Sequence, residues 1–234
     1  RARSSGSSSA LPCPRRRAGT VRRRPAPGEA ALRIIAGRHR GRRIAAPAGL
    51  ATRPTGDRAR EALMGILEHG SPPLAGARFL DLFAGSGAVG LEAASRGAEA
   101  VLLVERDPEA VRVIRANLEH LGEAGRVRLL VADATRLPVA SEPFDIVFLD
   151  PPWRSGLAGP TLLALLRGGW LAAGGRVVVE LARDERLELP EGLLAEDERR
   201  YGKTSFRFLR AAAVPPRPRR RPDGRAIRDA ESAG

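Results

Sequence analysis

The sequence predicts an α/β fold with a mainly parallel sheet and a nucleotide-type pocket at one sheet edge. Residues 79–90, FLDLFAGSGAVG, are typical of a short buried strand, a glycine turn and the start of a helix. Apolar segments at 100–105, 126–133 and 144–149 each end in an acidic residue or immediately precede one. Because parallel strands end at a common edge, we expect these acids to surround the pocket.

The glycine turn predicts a cofactor site. A turn between a strand and a helix leaves backbone N–H groups facing a ligand above the sheet edge. Gly85, Gly87 and Gly90 match the G-x-G-x-x-G pattern of dinucleotide-binding proteins. Asp81 lies within the preceding strand, and its carboxylate favours a ligand with cationic and amine groups. S-adenosylmethionine carries both groups, and the segment resembles motif I of methyltransferases that use it.

Two further acids extend this predicted site. Glu105 lies about 20 residues beyond the glycine loop, where an acid can hold ribose hydroxyls. Enzymes that use NAD have the same device, so Glu105 does not distinguish the two cofactors. Asp133, followed by Ala134, is predicted to receive the adenine amino group of a cofactor that crosses the switch point.

The tetrapeptide Asp150-Pro151-Pro152-Trp153 is the most specific chemical signal in the chain. Its prolines remove two N–H donors, so carbonyl groups at the strand end stay available as acceptors. Asp150 and the Pro151 carbonyl are predicted to hold a planar exocyclic amine and to favour the pyramidal geometry that can attack a methyl group. Trp153 is predicted to stack on an extruded base.

The N-terminal region predicts a nucleic-acid contact. Residues 31–44, ALRIIAGRHRGRRI, have apolar ends around a glycine-flanked centre, which is a β-hairpin signal. Residues 52–58, TRPTGDR, lead into an amphipathic helix over 59–67. Arginines on a projecting hairpin suit phosphate contacts. The predicted RNA-binding residues are Arg38, Arg40, Arg42, Arg43, Arg53 and Arg58.

Charge is unevenly distributed along the 234 residues. The net charge is +13, of which residues 1–28 carry +8, residues 29–61 carry +5 and residues 211–234 carry +3. Residues 62–210 are mildly acidic, at −3. This asymmetry favours a nucleic-acid partner held by the basic flanks. Since Lys203 is the single lysine, a GC-rich coding bias is the alternative explanation.

These patterns divide the chain into four segments. Residues 1–28 are predicted to be a disordered Arg-, Ser- and Pro-rich tail, which we interpret as a bacterial extension rather than a transit peptide. Residues 29–70 form the RNA-contacting hairpin and helix, residues 71–210 the catalytic domain, and residues 211–234 a disordered Pro- and Arg-rich tail. Within the catalytic domain we further predict helices over 107–121 and 160–173, a strand over 176–181, and paired strands over 193–200 and 204–210.

Several classes of protein are disfavoured by composition. Cys13 is the single cysteine, which excludes an internal disulfide and a Cys-based metal site and agrees with a cytoplasmic location. The three histidines lack metal-ligand spacing, so we expect no metal. No apolar run approaches the roughly 18 residues of a membrane span, so we expect no membrane partner.

Four segments together resemble the 16S ribosomal RNA guanine-N2 methyltransferase family of the RsmD type. They are residues 33–67, FLDLFAGSGAVGLEAASRGA, FDIVFLDPPW and YGKTSFRFL, and the resemblance covers about residues 31–210. It implies a Rossmann-like class I methyltransferase with a mainly parallel seven-stranded sheet, an antiparallel last strand and helices on both faces. The family more often has Phe or Tyr at the position of Trp153, and Gly56 also departs from its pattern.

The resemblance also implies a reaction. The substrate is a guanine in small-subunit rRNA, presented in an assembled or assembling particle, and the cofactor is S-adenosyl-L-methionine. Asp81, Gly85 and Gly87 would line the methionine end of the cofactor, while Asp150 and the Pro151 carbonyl would hold the target amine. We expect a monomer.

Three alternatives remain open from the sequence. An adenine-N6 DNA methyltransferase could use the same Asp-Pro-Pro-aromatic motif. A nicotinamide-dependent oxidoreductase would explain the glycines and Glu105 but would leave Asp81 without a role. A catalytically silent RNA-binding assembly factor would gain nothing from acids at three successive strand ends.

Overall fold

The computed structural model describes residues 32–47 and 56–212. The strands are β1 Leu32–Arg33, β2 Arg43–Ile44, β3 Arg78–Leu82, β4 Ala100–Glu105, β5 Val127–Val131, β6 Phe144–Leu149, β7 Leu171–Ala182, β8 Leu193–Tyr201 and β9 Thr204–Ala211. The helices are α1 Gly56–Glu68, α2 Ala88–Ser95, α3 Pro108–Leu121 and α4 Ala158–Arg167. Residues 1–28 and 213–234 of the predicted disordered tails, and Arg53 within TRPTGDR, lie outside the described residues. The second tail was predicted to start at residue 211, which is wrong, because Ala211 still belongs to β9.

The main sheet has the order β5-β4-β3-β6-β7-β9-β8. Strands β3 to β7 pair in parallel, and β9 runs antiparallel to both of its neighbours. The chain builds outward from β3 to β5 and then returns to β6 on the other side of β3. This reversal creates a switch point at the carboxyl ends of β3 and β6. The predicted fold class is confirmed.

Helices cover both faces of the sheet because its strands alternate their side chains between two cores. On one face, Phe79 of β3 packs in a cluster with residues of α1, α2 and α3. On the other face, Leu80 packs in a cluster with Leu162 and Leu165 of α4. Ile34 and Ile44 belong to the first cluster, so the hairpin shares the core of the sheet. Of the helices within 32–47 and 56–212, none is long and apolar enough to cross a membrane.

The predicted boundary between α4 and β7 is wrong. The helix expected over 160–173 ends at Arg167, and the strand expected over 176–181 already begins at Leu171. The helix ends at two successive glycines. The Gly168 N–H still donates to the Ala164 carbonyl as in a helix, and Gly169 then leaves the helix with a positive φ of 69°. The early part of β7 then pairs with β6 through an irregular register.

The N-terminal hairpin (β1, β2 and their connection) lies against the sheet domain rather than projecting from it. The N–H groups of Ile35 and Ala36 donate to the Glu92 carboxylate at 2.7 and 2.9 Å. The Ser95 hydroxyl donates to the Ala36 carbonyl at 2.6 Å. Gly37 approaches α2 so closely that a Cβ would lie 2.0 Å from the Ser95 carbonyl oxygen. The expected projecting hairpin is therefore wrong, because α2 side chains satisfy its backbone polar groups.

Two of the four hairpin arginines that were predicted to contact RNA bond to the protein itself. Arg38 donates to the Glu123 carboxylate at 2.8 Å, and Arg42 donates to the His120 carbonyl. Their predicted RNA contacts stay predictions, and RNA would have to compete with these partners. Of these four arginines, Arg40 and Arg43 have exposed side chains and form no such bond within the described part of the chain.

Replacing Glu92 by alanine should destabilise the protein by about 3 kcal/mol. The carboxylate is fully buried and also accepts from Arg96 Nε at 2.7 Å, so its loss leaves two backbone N–H groups unpaired and removes one of the two carboxylates that pair with Arg96, the other being Glu68. Urea unfolding followed by circular dichroism measures the effect. The exposed Glu119 on α3 provides the control, since Glu119→Ala should change stability by less than about 0.5 kcal/mol. Equal stabilities of the two variants would contradict this account of hairpin docking.

Candidate active site

A cavity of about 470 Å³ opens at the switch point, above the carboxyl ends of β3, β4 and β6. Its wall contains the end of β3, the glycine loop, the acids that follow β4 and β6, and residues from α1, β7 and β9. The predicted site residues that line it are Asp81, Gly85, Glu105, Ala134, Asp150 and Pro151. The topology has therefore brought together residues that are up to 70 positions apart in the sequence.

Asp81 is a buried carboxylate at the base of the cavity, 2% exposed. Its Oδ2 accepts the Gly90 N–H at 2.9 Å, which ties β3 to the first turn of α2. Burial raises the pKa of Asp81 to about 8; the negative charges of Asp150 and Glu105 add to the rise, and the Gly90 N–H opposes it. The site therefore favours a cationic ligand group beside Asp81.

Gly90 can hold this position because it has no side chain. A Cβ there would lie 2.3 Å from Leu103 Cδ2 and 3.2 Å from Asp81 Oδ2. The third glycine of the G-x-G-x-x-G pattern thus permits close packing of α2 on the sheet. Gly87, with φ of 76°, turns the chain into α2.

Glu105 fixes the glycine loop as well as facing the cavity. Its Oε2 accepts the Gly85 N–H at 2.8 Å, and its Oε1 accepts the N–H groups of Arg106 and Asp107 at 2.7 and 2.9 Å. A carboxylate has about four acceptor positions, so one remains for a ribose hydroxyl. The predicted ribose role stays a prediction and is compatible with this geometry.

Asp133 lies less directly on the cavity than predicted. Of the described residues, Ala132 and Ala134 line the cavity, whereas Asp133 does not. Its Oδ1 accepts both the hydroxyl and the N–H of Thr135, and its Oδ2 accepts from Arg106. The Thr135 hydrogen bonds and the Arg106 charge lower the pKa of Asp133, so this carboxylate is ionised at neutral pH.

The Asp-Pro-Pro-Trp segment divides between two cavities. Asp150, Pro151 and Pro152 line the switch-point cavity, but Trp153 lines a second one beside it. In this structure Trp153 therefore does not belong to the lining of the switch-point cavity, and its predicted stacking on the target base stays a prediction. The chain reverses at once after Trp153, since Arg154 adopts a left-handed φ of 56° and Ser155 donates its N–H to Pro152 at 3.2 Å.

Several functional candidates escaped the sequence analysis. Phe83 at the end of β3 lines the cavity with a φ of 63°, which is rare for a non-glycine residue and typical of strained functional sites. Arg60 brings a buried guanidinium to the wall, and its Nε has no hydrogen-bond partner among the described residues. Glu180 and Thr204 add a carboxylate and a hydroxyl from β7 and β9. No local sequence signal distinguishes these residues from their neighbours, so the sequence alone could not identify them as site residues.

Asn117 couples the hairpin to the glycine loop. Its Oδ1 accepts the Ala45 N–H at 2.8 Å, while its Nδ2 donates to the carbonyls of Ala45 and Ser86 at 3.0 Å. The side chain is buried on α3, 2% exposed. A single amide thus holds the segment after β2 and the loop before α2 in one arrangement.

The remaining predicted RNA contacts are not among the residues that line this cavity. Arg58 on α1 has an exposed side chain, as have Arg40 and Arg43. Within the described ranges, no three His, Cys, Asp or Glu side chains are grouped so that they could hold a metal ion.

The family follows from comparison with known proteins. The family model described as Conserved hypothetical protein 95 matches residues 32–210. Ribosomal RNA small subunit methyltransferase D of Escherichia coli (strain K12) is 37% identical over 188 residues, which are 80% of this chain and 93% of the relative. The chain belongs to the ribosomal RNA small subunit methyltransferase D family. The Haemophilus influenzae relative of the same name is 36% identical and covers 76% of this chain and 92% of its own length.

Solved structures agree with this family. The yhhF protein of Escherichia coli has a TM-score of 0.68 and 36% identity, with 79% of this chain and 99% of that chain covered. The Thermus thermophilus protein TTHA0928 has a TM-score of 0.61 and 37% identity, with 76% and 98% covered. The predicted family is confirmed, and the chain is a methyltransferase of this family with the common fold.

The residues of this methyltransferase fit the predicted cofactor, S-adenosyl-L-methionine. Asp81 provides the buried anion that an α-ammonium requires, and Arg60 provides a buried donor for the methionine carboxylate. Gly85 and Glu105 provide the tight loop and the remaining ribose acceptor. Family membership and this donor set together indicate S-adenosyl-L-methionine as the cofactor.

Cofactor binding should release a proton near pH 7. Asp81, with a pKa of about 8, is mainly protonated at neutral pH, and an adjacent ammonium favours its ionised form. The affinity for S-adenosylhomocysteine should therefore rise with pH between 6 and 8, by at most roughly tenfold per unit, and level off above. Titration calorimetry at pH 7, in buffers of different ionisation enthalpy, measures the released proton.

Asp81→Asn provides the matched control, because an amide has the same shape and cannot ionise. It should bind more weakly, with an affinity that does not change over this pH range. Wild-type binding without proton release, or the same pH slope in the Asn variant, would contradict the assigned role of Asp81.

Proposed function

We propose that this methyltransferase transfers a methyl group from S-adenosylmethionine to the exocyclic N2 amine of a guanine in 16S rRNA of the small ribosomal subunit. One observation carries the proposal. Asp150 and Pro151 line the same cavity as Asp81 and the glycine loop, so a base amine and a cofactor can meet there. The substrate class is inferred from the family relatives, which are named as small-subunit rRNA methyltransferases.

The wall divides into a cofactor end and a base end. At the cofactor end, Asp81 binds the α-ammonium, Arg60 the carboxylate and Glu105 a ribose hydroxyl. Ala132 and Ala134 form an apolar surface suited to adenine, with Asp133 at the rim as an acceptor for its amino group. S-adenosylmethionine, when bound, supplies an electrophilic methyl group on a positively charged sulfur.

At the base end, Asp150 and the Pro151 carbonyl act on the amine. The N2 lone pair is delocalised into the guanine ring, which makes the amine planar and a poor nucleophile. Acceptors that bind both amine hydrogens favour a pyramidal nitrogen, whose lone pair is free to attack the methyl group. The N–CH₃ bond forms as the S–CH₃ bond breaks, and N2 must then lose one proton. The Asp150 carboxylate accepts this proton. Most of the rate enhancement comes from holding the amine and the methyl group in line.

Glu180 favours guanine over adenine. Its neighbour Val179 pairs with Leu149, so the parallel register places Glu180 beside Asp150 at the sheet edge. Guanine carries a donor at N1 next to its N2 amine, and a carboxylate can accept from it. Adenine carries an acceptor at N1 next to its N6 amine, which a carboxylate would repel. We propose that Glu180 reads this edge of the flipped base.

The activity test supplies labelled S-adenosylmethionine with unmethylated small ribosomal subunits, free 16S rRNA and duplex DNA in parallel. Nucleoside digestion and mass spectrometry identify the product. N2-methylguanosine from the subunit or rRNA is expected. N6-methyladenine from DNA would leave the cofactor assignment intact but contradict the proposed substrate. A lack of transfer to all three would contradict the proposal.

Asp150→Ala should abolish turnover, with a loss of at least roughly a thousandfold in kcat, while S-adenosylhomocysteine still binds with similar affinity. The side chain acts on the base amine, so its removal should spare the cofactor end. Single-turnover methylation and calorimetry measure the two effects. The exposed Asp197 on β8 gives the control variant Asp197→Ala, which should keep full activity. Unchanged methylation in Asp150→Ala would remove the central role of this residue.

Glu180→Gln should lower kcat/KM for rRNA by roughly 10- to 100-fold, since a lost base-edge contact is worth about 1–3 kcal/mol. The substitution keeps the shape of the side chain, but the neutral amide oxygen is a weaker acceptor for the N1–H than a carboxylate oxygen. Cofactor affinity should stay unchanged. A variant with wild-type kcat/KM would show that Glu180 does not read the base.

A further inference from the structure

A second cavity, of about 810 Å³, adjoins the proposed base end. It is lined by Trp153, Arg154, Ala182, Arg183, Asp184, Arg200, Gly202 and Lys203. We refer to it as the basic cavity. Three chain segments contribute to both cavities, namely residues 150–154, 180–184 and 200–206. Pro152 lines the switch-point cavity and the next residue, Trp153, lines the basic cavity, so the linings of the two cavities meet at this peptide bond.

The basic cavity has a strong positive bias. Four of its lining side chains are basic, all four are exposed, and Asp184 is the one acid among the lining residues. Two of the basic residues are neutralised locally: Arg154 donates to Asp184 at 2.8 Å, and Arg200 donates to Glu198 at 2.8 Å. The cavity therefore retains two positive charges from its other basic residues.

Those two charges belong to Arg183 and Lys203. Neither forms an ion pair with any residue that the structure describes. Their backbones are joined, since Arg183 donates its N–H to the Lys203 carbonyl at 2.8 Å. Two exposed cationic residues thus start from adjacent backbone positions at the junction of β7 and β9. Such a pair suits a phosphate backbone, which exchanges its counterions for protein cations.

Trp153 gives the cavity an aromatic wall. The side chain is half-buried, and the left-handed turn at Arg154 fixes the chain that carries it. An aromatic side chain among cations is the combination with which proteins hold single-stranded nucleic acid, with a base on the ring and phosphates on the cations. An acidic peptide would use the cations but would gain less from the ring.

We propose that the basic cavity binds the nucleotide that flanks the methylated guanine, with its base on Trp153 and its phosphates on Arg183 and Lys203. The inference rests on the proposed RNA substrate and adds a second nucleotide subsite to it. It also gives Trp153 a different task from the one predicted for it. Stacking of the flanking base in the basic cavity would hold the strand while the target guanine occupies the switch-point cavity.

Tryptophan fluorescence tests the subsite without requiring methyl transfer. Titration of the full chain with a short single-stranded oligoadenylate should quench the emission of Trp153, and Trp153→Leu should lose this quenching. The double variant Arg183→Ala/Lys203→Ala should bind the oligonucleotide at least tenfold more weakly. The salt dependence of its binding should also fall by about 1.4 in logarithmic slope, since each single-stranded phosphate contact contributes roughly 0.7.

Controls keep this outcome separate from misfolding and from failure of the proposed reaction. Arg128→Ala/Arg167→Ala removes the same charge from exposed positions outside both cavities and should bind like the wild type. All variants should keep their affinity for S-adenosylhomocysteine. Absent quenching, or equal losses in the two double variants, would overturn the subsite whatever the enzyme methylates. Quenching by polyglutamate but not by RNA would also overturn it.

Discussion

The active site depends on one buried carboxylate and the backbone N–H that accompanies it. Asp81 lies in the central strand of the sheet, and the Gly90 N–H is its hydrogen-bond donor in the structure. A buried carboxylate with a single donor is costly to ionise, and this is why burial raises the pKa of Asp81. A cationic ligand group removes that cost. The cavity is thus built to gain stability when the positively charged end of a cofactor enters it.

The surrounding hydrogen bonds hold this carboxylate and the glycine loop in place. Glu105 joins the loop to β4, and Asn117 joins it to the segment that follows the hairpin. Glu92 then fastens the hairpin to α2, the helix that supplies the Gly90 donor. These contacts are made mostly by buried polar side chains with several partners each. The hairpin is therefore part of the scaffold of the cofactor site, in addition to any role in RNA binding.

Local patterns were sufficient to predict the fold and to predict residues that the fold gathers around one cavity. Strands β4 and β6 begin and end where their apolar segments do, and acids at strand ends meet because parallel strands share an edge. The docked hairpin and the contributions of Arg60 and Glu180 could not be predicted, because they depend on contacts between segments far apart in sequence. The position of Trp153 depends on a left-handed turn at Arg154, a non-glycine residue for which the sequence carries no signal.

A crystal structure of the protein with S-adenosylhomocysteine would test the central claim most directly, namely that cofactor and base meet between Asp81 and Asp150. The account predicts the amino group of the ligand against Asp81, its ribose at Glu105 and its sulfur facing Asp150 and Pro151. A ligand whose sulfur points away from Asp150, or whose amino group lies elsewhere than at Asp81, would contradict it.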